Sequence, residues 1–291
     1  DNLLLGLRLG RRPLCIVTST PKPTAFTRRL EALKGADGSA SCIVTVGSTY
    51  SNKSNLSRQF FNTILAKYQG TRLALQELEG QILDDNPLAL FKREWIEYNK
   101  VDKLPDPALQ RRVIIGVDPA ITHSKLKSDN TGIIVIMEAT APSSLLLGNP
   151  AELQDKTHYY ILEDATLIGT PFEWGAKVKF LCDVYSVNAV IVEDNQGGDM
   201  TEATLLNAKV TCEIMRVHSS QNKQMRAMTA SLLCQQGRVH FYIKNINDNS
   251  LDILEDELVN WIPGDAKSPD RLDALAHAIN FLNVGEREET Q

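Results

Sequence analysis

Three acidic residues of this chain stand where neighbouring structural elements are predicted to present them to one point. Asp118 follows the apolar run 113–117, Glu193 follows the run 189–192, and Asp273 lies in the first turns of a predicted helix. Because an open α/β sheet forms its crevice at the carboxyl ends of its strands, we expect these carboxylates to converge. Carboxylate oxygens are the ligands that Mg²⁺ and Mn²⁺ prefer. The pattern therefore predicts a divalent-metal site for phosphodiester chemistry.

Two-metal hydrolysis of a phosphodiester needs several hard oxygen ligands around ions that lie about 3.5–4 Å apart. One ion activates the attacking water, and the other stabilises the leaving oxygen. Carboxylates brought this close repel one another, and bound cations relieve that repulsion. We therefore expect two Mg²⁺ or Mn²⁺ ions as cofactors.

Each strand-end acid also has a structural interpretation. Asp118 precedes Pro119, and Asp-Pro pairs often begin turns, so for Asp118 alone both interpretations stay open. Glu193 has the stronger setting, because the glycines at 197–198 allow a tight turn or the close approach of a substrate. Asp194 is the competing ligand, although alternation along the strand places it on the opposite side from Glu193.

The predicted helix 269–282 carries the third acid. Asp270, Asp273 and His277 follow the spacing i, i+3 and i+7, which places them on one face beside the apolar stripe. Asp270 is equally explained by the preference of acids for a first helical turn, whereas Asp273 is predicted to lie too deep for that. His277 is expected to be a packing or surface residue and not a metal ligand.

The bulk composition is that of a soluble globular protein, with 43% hydrophobic and 23% charged residues. Residues 1–110 carry 15 Lys and Arg against 11 Asp and Glu, whereas residues 111–291 carry 16 against 25. An acidic second half argues against passive clamping of DNA but is compatible with carboxylates that hold metal ions. Five scattered cysteines without a C-x-x-C pair predict reduced, mostly buried thiols in a cytosolic protein.

The order of predicted elements indicates an α/β fold, a mixed sheet with helices on both faces. The proline-rich segment 102–107 marks the expected domain boundary. The insertion 141–156 is expected to be less ordered. The predicted strands are 14–18, 42–46, 113–118, 131–138, 158–167, 189–193 and 212–218, and the predicted helices are 25–34, 56–68, 73–80, 172–185, 201–207, 222–236, 250–261 and 269–282.

Across nearly its whole length the chain resembles the large subunit of the terminase, the DNA-packaging enzyme of tailed bacteriophages and prophages. Each matching motif alone is weak, but their number and order make the resemblance specific. The matching segments are 1–8, TSTPK at 18–22, GSTYSN at 47–52, LS at 56–57, GTR at 70–72, QELEG at 76–80, GVDPA at 116–120, DNTG at 129–132, EDNQGGD at 193–199, WIPG at 261–264 and 268–275.

The resemblance implies an RNase H-like nuclease domain at 106–291, preceded at 1–105 by the C-terminal part of a P-loop ATPase domain with a linker. It implies that Asp118, Glu193 and Asp273 are catalytic and hold the metals. Asp270 would be a further metal ligand, and Asp129 and Asp270 would be auxiliary acids. It also implies DNA contact by Lys223 and Arg226, although a surface role that only aids solubility is equally compatible with Arg226.

The chain departs from the family pattern in one respect. No G-x-x-x-x-G-K-[ST] motif occurs, and the strand that would end in Walker B acids is missing. We therefore expect this sequence to be the C-terminal portion of a longer protein, and we expect no ATPase activity from it alone, because ATP would be bound only by the full-length protein. The resemblance implies double-stranded DNA, the terminase small subunit and the portal protein as partners, a homo-oligomeric ring in the full motor, no membrane, and a place in the bacterial cytoplasm.

Three other functions compete with a packaging endonuclease. The chain could be a non-catalytic motor or assembly segment, but the three acids are intact. Sugar kinases and actin-like ATPases also begin with an acidic strand hairpin, but they need a second glycine-rich phosphate hairpin and lack an acid pair on the last helix. A junction resolvase or a transposase would share the three acids but would not account for residues 1–100.

Overall fold

The computed structural model describes residues 14–19, 24–32, 42–68, 74, 78–81, 88–119, 130–140, 157–193, 198–217, 223–245, 248–264 and 269–289. The chain divides into two compact units, Asp1–Asp84 and Asp85–Gln291. This division comes earlier than the boundary predicted at 105 and 106. The segment that the sequence suggested was a linker therefore belongs to the second unit.

The described part of the first unit contains two helices, α1 (Ala25–Ala32) and α2 (Arg58–Tyr68), and a short 3-10 helix, Lys53–Asn55. The predicted strands 14–18 and 42–46 are not strands in the structure. Their apolar side chains are mostly exposed, and no neighbouring strand among the described residues offers a hydrogen-bonded partner. A strand needs such a partner, so β-branched composition alone was misleading here. The insertion 141–156 and half of the predicted helix 73–80 lie outside the described residues; of the other half, Ala74 is helical, whereas residues 78–80 are not.

The second unit is built around one seven-stranded sheet. Its order is β1-β7-β4-β3-β2-β5-β6, and only β3 runs against its neighbours. The elements are α3 (Arg93–Tyr98), β1 (Lys100–Val101), β2 (Gln110–Asp118), β3 (Gly132–Thr140), β4 (Thr157–Asp164), α4 (Pro171–Tyr185), β5 (Ala189–Glu193), α5 (Gly198–Asn207), β6 (Glu213–Val217), α6 (Lys223–Gln235), β7 (Val239–Tyr242), α7 (Asp252–Asn260) and α8 (Asp270–Glu289), with a 3-10 turn at Pro107–Leu109.

Both faces of the sheet are buried, which explains why its central strands are continuous apolar runs. Alternate residues of each strand enter opposite cores. Ile114 packs on the face covered by α3, α6, α7 and α8, whereas Ile115 packs on the face covered by α4 and α5. The predicted mixed sheet with helices on both faces is thus confirmed, and so is the antiparallel pairing of β2 with β3.

Segment 88–101 joins the sheet through α3 and β1. Strand β1 pairs in parallel with β7, and two buried ion pairs hold α3 and β1 onto α7. Arg93 contacts Asp256 at 2.5 Å, and Lys100 contacts Glu255 at 3.1 Å. The sequence predicted neither β1 nor β7, because strands of two and four residues are too short to show a period.

The cysteines are all free in the structure, and two of them, Cys182 and Cys234, are buried. The expectation that most cysteines are buried was wrong, since Cys15 is exposed and Cys42 and Cys212 are partly exposed. No helix in the described part of the chain is long and apolar enough to cross a membrane.

Candidate metal centre

Two parallel strands bring the first two predicted acids to the same edge of the sheet. Strand β2 pairs with β5 up to Val117 and Val192, and the next residue on each strand is the acid itself, Asp118 or Glu193. The carboxyl ends of parallel strands therefore place the two carboxylates side by side, as the sequence predicted.

The third acid reaches this edge because α8 packs very closely on the sheet. A Cβ atom at Gly116 of β2 would collide with the carbonyl oxygen of Ala274, and one at Gly132 of β3 would collide with that of Asp270. Only glycine permits this approach of helix backbone to strand backbone. The two glycines therefore set the height of the first turns of α8 and of Asp273 above the strand ends.

An ion-pair network anchors the same turn of α8 laterally. Arg271 Nε donates to Asp164 Oδ2 at the end of β4 at 2.6 Å, and Arg271 NH1 donates to Glu257 Oε1 of α7 at 2.6 Å. Sequence reasoning missed this network. A cation in a first helical turn opposes the helix dipole, and that anomaly at Arg271 was a usable signal.

Asp118 lies in an electrostatically unfavourable position. Burial first, and then the charges of Asp273, Asp270 and Glu193, raise its pKa to about 8 against an opposing effect of Lys223. No cation among the described residues forms an ion pair with Asp118. Asp118 is therefore a partly buried acid surrounded by acids, and a positive charge would stabilise its ionised form.

Glu193 lies between two buried nitrogen groups. Arg226 NH1 donates to its Oε1 at 3.2 Å, and His277 Nε2 lies 3.5 Å from its Oε2. The contact with His277 holds the pKa of Glu193 below its usual range; Arg226 and Lys223 act in the same direction, and burial opposes them. Glu193 is thus kept ionised, in contrast to Asp118.

Asp273 is buried and contacts two cations of α6. Its Oδ2 accepts a hydrogen bond from Lys223 Nζ at 3.0 Å, and its Oδ1 lies 3.8 Å from Arg226 NH2. Helix α8 begins at Asp270, so both acids belong to its first turn. The expectation that Asp273 lies too deep for a first-turn position was therefore wrong.

The predicted site residues differ in accessibility. The side chain of Lys223 is 58% exposed, whereas that of Arg226 is 7% exposed and bridges Glu193 and Asp273. A solvated surface role for Arg226 does not fit this burial. His277 is buried, as expected for a packing residue, but it packs against Glu193. Asp129 and the competing acid Asp194 lie outside the described residues.

The donor chemistry at this edge fits a hard divalent cation. Asp118, Glu193 and Asp273 are carboxyl side chains, and a cation would stabilise the ionised form of Asp118, which its acidic surroundings disfavour. Among the residues that the structure describes, no three acidic, histidine or cysteine side chains converge closely enough to form a complete ligand set. Lys223 Nζ occupies Oδ2 of Asp273, so this contact of an exposed lysine would have to loosen around a metal.

Sequence comparison assigns this domain to a family. The model of the terminase RNase H-like domain matches residues 115–282, which span all three acids and the strands that carry them. The chain belongs to the terminase RNase H-like domain family. The resemblance to terminase large subunits is thereby confirmed, together with the RNase H-like fold of the seven-stranded sheet.

Solved structures similar to this terminase domain come from viruses of bacteria and of humans. The human cytomegalovirus terminase nuclease domain, manganese-soaked and inhibitor-bound, is 11% identical with a TM-score of 0.44, covering 66% of this chain and 94% of that one. The nuclease domain of large terminase subunit gp2 of bacterial virus Sf6 is 14% identical with a TM-score of 0.44, and the match covers 65% of this chain and 96% of that one. The large terminase nuclease of thermophilic phage G20c with bound magnesium is 15% identical with a TM-score of 0.43, and the match covers 67% of this chain and 98% of that one. No curated protein sequence matches this chain.

Proposed function

We propose that this chain is a metal-dependent endonuclease that cuts double-stranded viral DNA during genome packaging. The observation that carries the proposal is the placement of Asp118, Glu193 and Asp273, from two strands and a helix, at one edge of the sheet of a terminase domain. Bound Mg²⁺ or Mn²⁺ would activate a water and stabilise the leaving oxygen. The three carboxylates would hold the ions, with Asp270 and Asp129 as auxiliary acids.

The cations of α6 would have separate tasks. Lys223 is exposed at the mouth of the site and lies 3.0 Å from Asp273, so it could exchange this carboxylate for a phosphate of the DNA. Arg226 is buried and would balance the charge of Glu193 and Asp273 from behind. The DNA contact expected of Arg226 stays a prediction. The small subunit, the portal and a ring of copies belong to the same proposal as partners of the whole packaging motor.

A second candidate function is a non-catalytic segment of the packaging motor. It is favoured by the ion pairs that Glu193 and Asp273 make with Arg226 and Lys223, because these pairs stabilise the acids without a metal. The two functions differ in one observable property, the metal-dependent cleavage of DNA.

Plasmid nicking and linearisation with Mg²⁺ or Mn²⁺ tests the proposal. We expect cleavage by the parent chain, and a loss of roughly 100-fold or more in Asp118→Ala and Asp273→Asn, since several kcal/mol of transition-state stabilisation come from the ions. Asp183→Asn is the matched control, because Asp183 is an exposed acid on α4 that pairs with Lys179. Cleavage should also weaken with salt. If the two site variants cut as well as the parent, the assignment of these acids is wrong.

A further inference from the structure

His277 is a buried residue that the proposed chemistry does not use. It lies on α8 one helical turn after Asp273, and its side chain is 2% exposed. Its Nε2 atom has no hydrogen-bond partner with good geometry among the described residues. A buried ring nitrogen without a partner is costly, so its presence requires an explanation.

The nearest acceptor identifies that explanation. Nε2 of His277 lies 3.5 Å from Oε2 of Glu193, just beyond the length of a normal hydrogen bond. The other oxygen, Oε1, already accepts a hydrogen bond from Arg226. A small rotation of the Glu193 carboxylate would therefore complete a hydrogen bond to each of its oxygens.

The two donors are held by elements that are fixed relative to each other. Asn280 of α8 donates to the backbone carbonyl of Arg226 on α6 at 3.0 Å. Helix α8 thus carries Asp273, supplies His277 and clamps α6 at Arg226. Glu193 ends strand β5, and α6 and α8 each contribute one nitrogen group beside its carboxylate.

We propose that His277 is a positioning residue for Glu193, which fixes the carboxylate in the orientation needed to bind a divalent cation. The inference rests on the proposed function, because it assumes that Glu193 is a metal ligand. A donor behind a ligating carboxylate leaves the outer lone pairs for the metal and removes the entropy of a rotating side chain. Partners of this kind change metal affinity by about 10-fold to 100-fold when they are removed.

Metal binding by the whole chain tests this role. Calorimetric titration with Mn²⁺ should show at least about 10-fold weaker binding in His277→Leu, which removes the donor but keeps an apolar volume. His277→Gln retains an N–H donor and should recover most of the affinity. Ile279→Val is the matched control, because it trims a buried residue of the same helix that belongs to the apolar core. We expect its Mn²⁺ affinity to equal that of the parent.

A second measurement covers the case in which His277→Leu does not fold. Imidazole ¹⁵N spectra of the parent chain, with His277 assigned through His277→Gln, should show a shift of the Nε2 signal when Mg²⁺ is added. An unchanged signal, or a His277→Leu variant that binds Mn²⁺ as tightly as a metal-binding parent, overturns the inference alone. A parent chain that binds no Mn²⁺ overturns the inference together with the proposed function.

Discussion

At the scale of single residues, the three carboxylates of the site have different charge environments. Glu193 and Asp273 each contact cations, whereas Asp118 faces mainly other acids. Its position at the end of a buried strand leaves it little water to stabilise a charge. In the metal-free chain Asp118 therefore destabilises the fold whenever it is ionised, as is common for functional groups that are arranged for catalysis.

The substitution Asp118→Asn should stabilise the metal-free chain in a pH-dependent way. The ordinary pKa of Asp is 3.8, and that of folded Asp118 is about 8. The folded state therefore binds a proton more tightly, so stability is full below pH 4 and is lost as the pH rises towards 8. Asn cannot ionise. The gain in the free energy of unfolding from Asp118→Asn should therefore be small at pH 5 and on the order of 3 kcal/mol at pH 9. One pKa unit corresponds to about 1.4 kcal/mol, and screening by solvent reduces the effect of the full shift.

Thermal unfolding in EDTA at both pH values measures this gain. Asp183→Asn, an exposed acid on α4, should show no comparable change with pH. Asp118→Asn should also lose cleavage, so the stabilised variant would be inactive. An equal melting temperature of parent and Asp118→Asn at pH 9 would contradict the charge environment described for this residue.

At the scale of elements, the position of α8 decides the geometry of the site. Its first turn packs on Gly116 of β2 and Gly132 of β3, and Arg271 ties it to β4 and α7. The same turn carries Asp270 and Asp273. Any displacement of this helix therefore moves one carboxylate relative to the two that end strands.

The substitution Gly132→Ala should impair the site more than the fold. The added Cβ would meet the backbone carbonyl of Asp270, which cannot rotate away as a side chain can. Overpacking of this kind costs about 1–3 kcal/mol, and a shift of a reacting group by about 1 Å can lower the rate 100-fold. We expect a folded variant with strongly reduced cleavage in a plasmid assay.

A matched glycine is available for this experiment. A Cβ atom added to Gly47 of the first unit would meet no atom within 4 Å. Gly47→Ala should therefore leave the free energy of unfolding and the cleavage rate unchanged. Full cleavage by Gly132→Ala would mean that the close approach of α8 is not needed for the site.

At the scale of the whole molecule, the terminase domain extends further towards the N-terminus than its family match. Residues 115–282 match the family model, but the compact unit begins at Asp85. Segment 88–101 adds β1 to the sheet and supplies Arg93 and Lys100 to Glu255. Burial raises the pKa of Glu255 to about 7, so these cations balance a group that water does not solvate.

Two fragments distinguish the structural boundary from the sequence-based one. Fragment 85–291 should have the same urea concentration at its unfolding midpoint as the second unit has within the full chain. Fragment 106–291 lacks both cations, and an unpaired buried charge costs about 3–5 kcal/mol. The loss should be greater at pH 8 than at pH 5, where the Glu255 carboxyl is protonated. Equal midpoints for the two fragments at pH 8 would show that segment 88–101 does not stabilise the domain.

Much of this architecture was predictable because its signals are local. Strand β5 was predicted over its full length, and β2 with β3 was predicted as an antiparallel pair, since strands buried on both faces are continuous apolar runs. The same rule wrongly predicted a strand at the exposed run 42–46. Apolar composition does not reveal whether a partner strand is present. The start of α8 was missed by one residue, which moved Asp273 into the first turn.

The sequence by itself determined the strand-end acids, the order of the longer elements of the second unit and the family to which the chain belongs. Only the tertiary structure decided which charges meet. Arg226 contacts Glu193 across 33 residues, and Arg271 contacts Asp164 across 107. Such pairs depend on how helices pack on the sheet, and that packing depends on close approaches such as the one at Gly132. The physical reason is the distance along the chain over which each interaction acts. Helices and strands depend mainly on residues that are close in sequence, whereas the ion pairs of a site depend on residues that are close only in space.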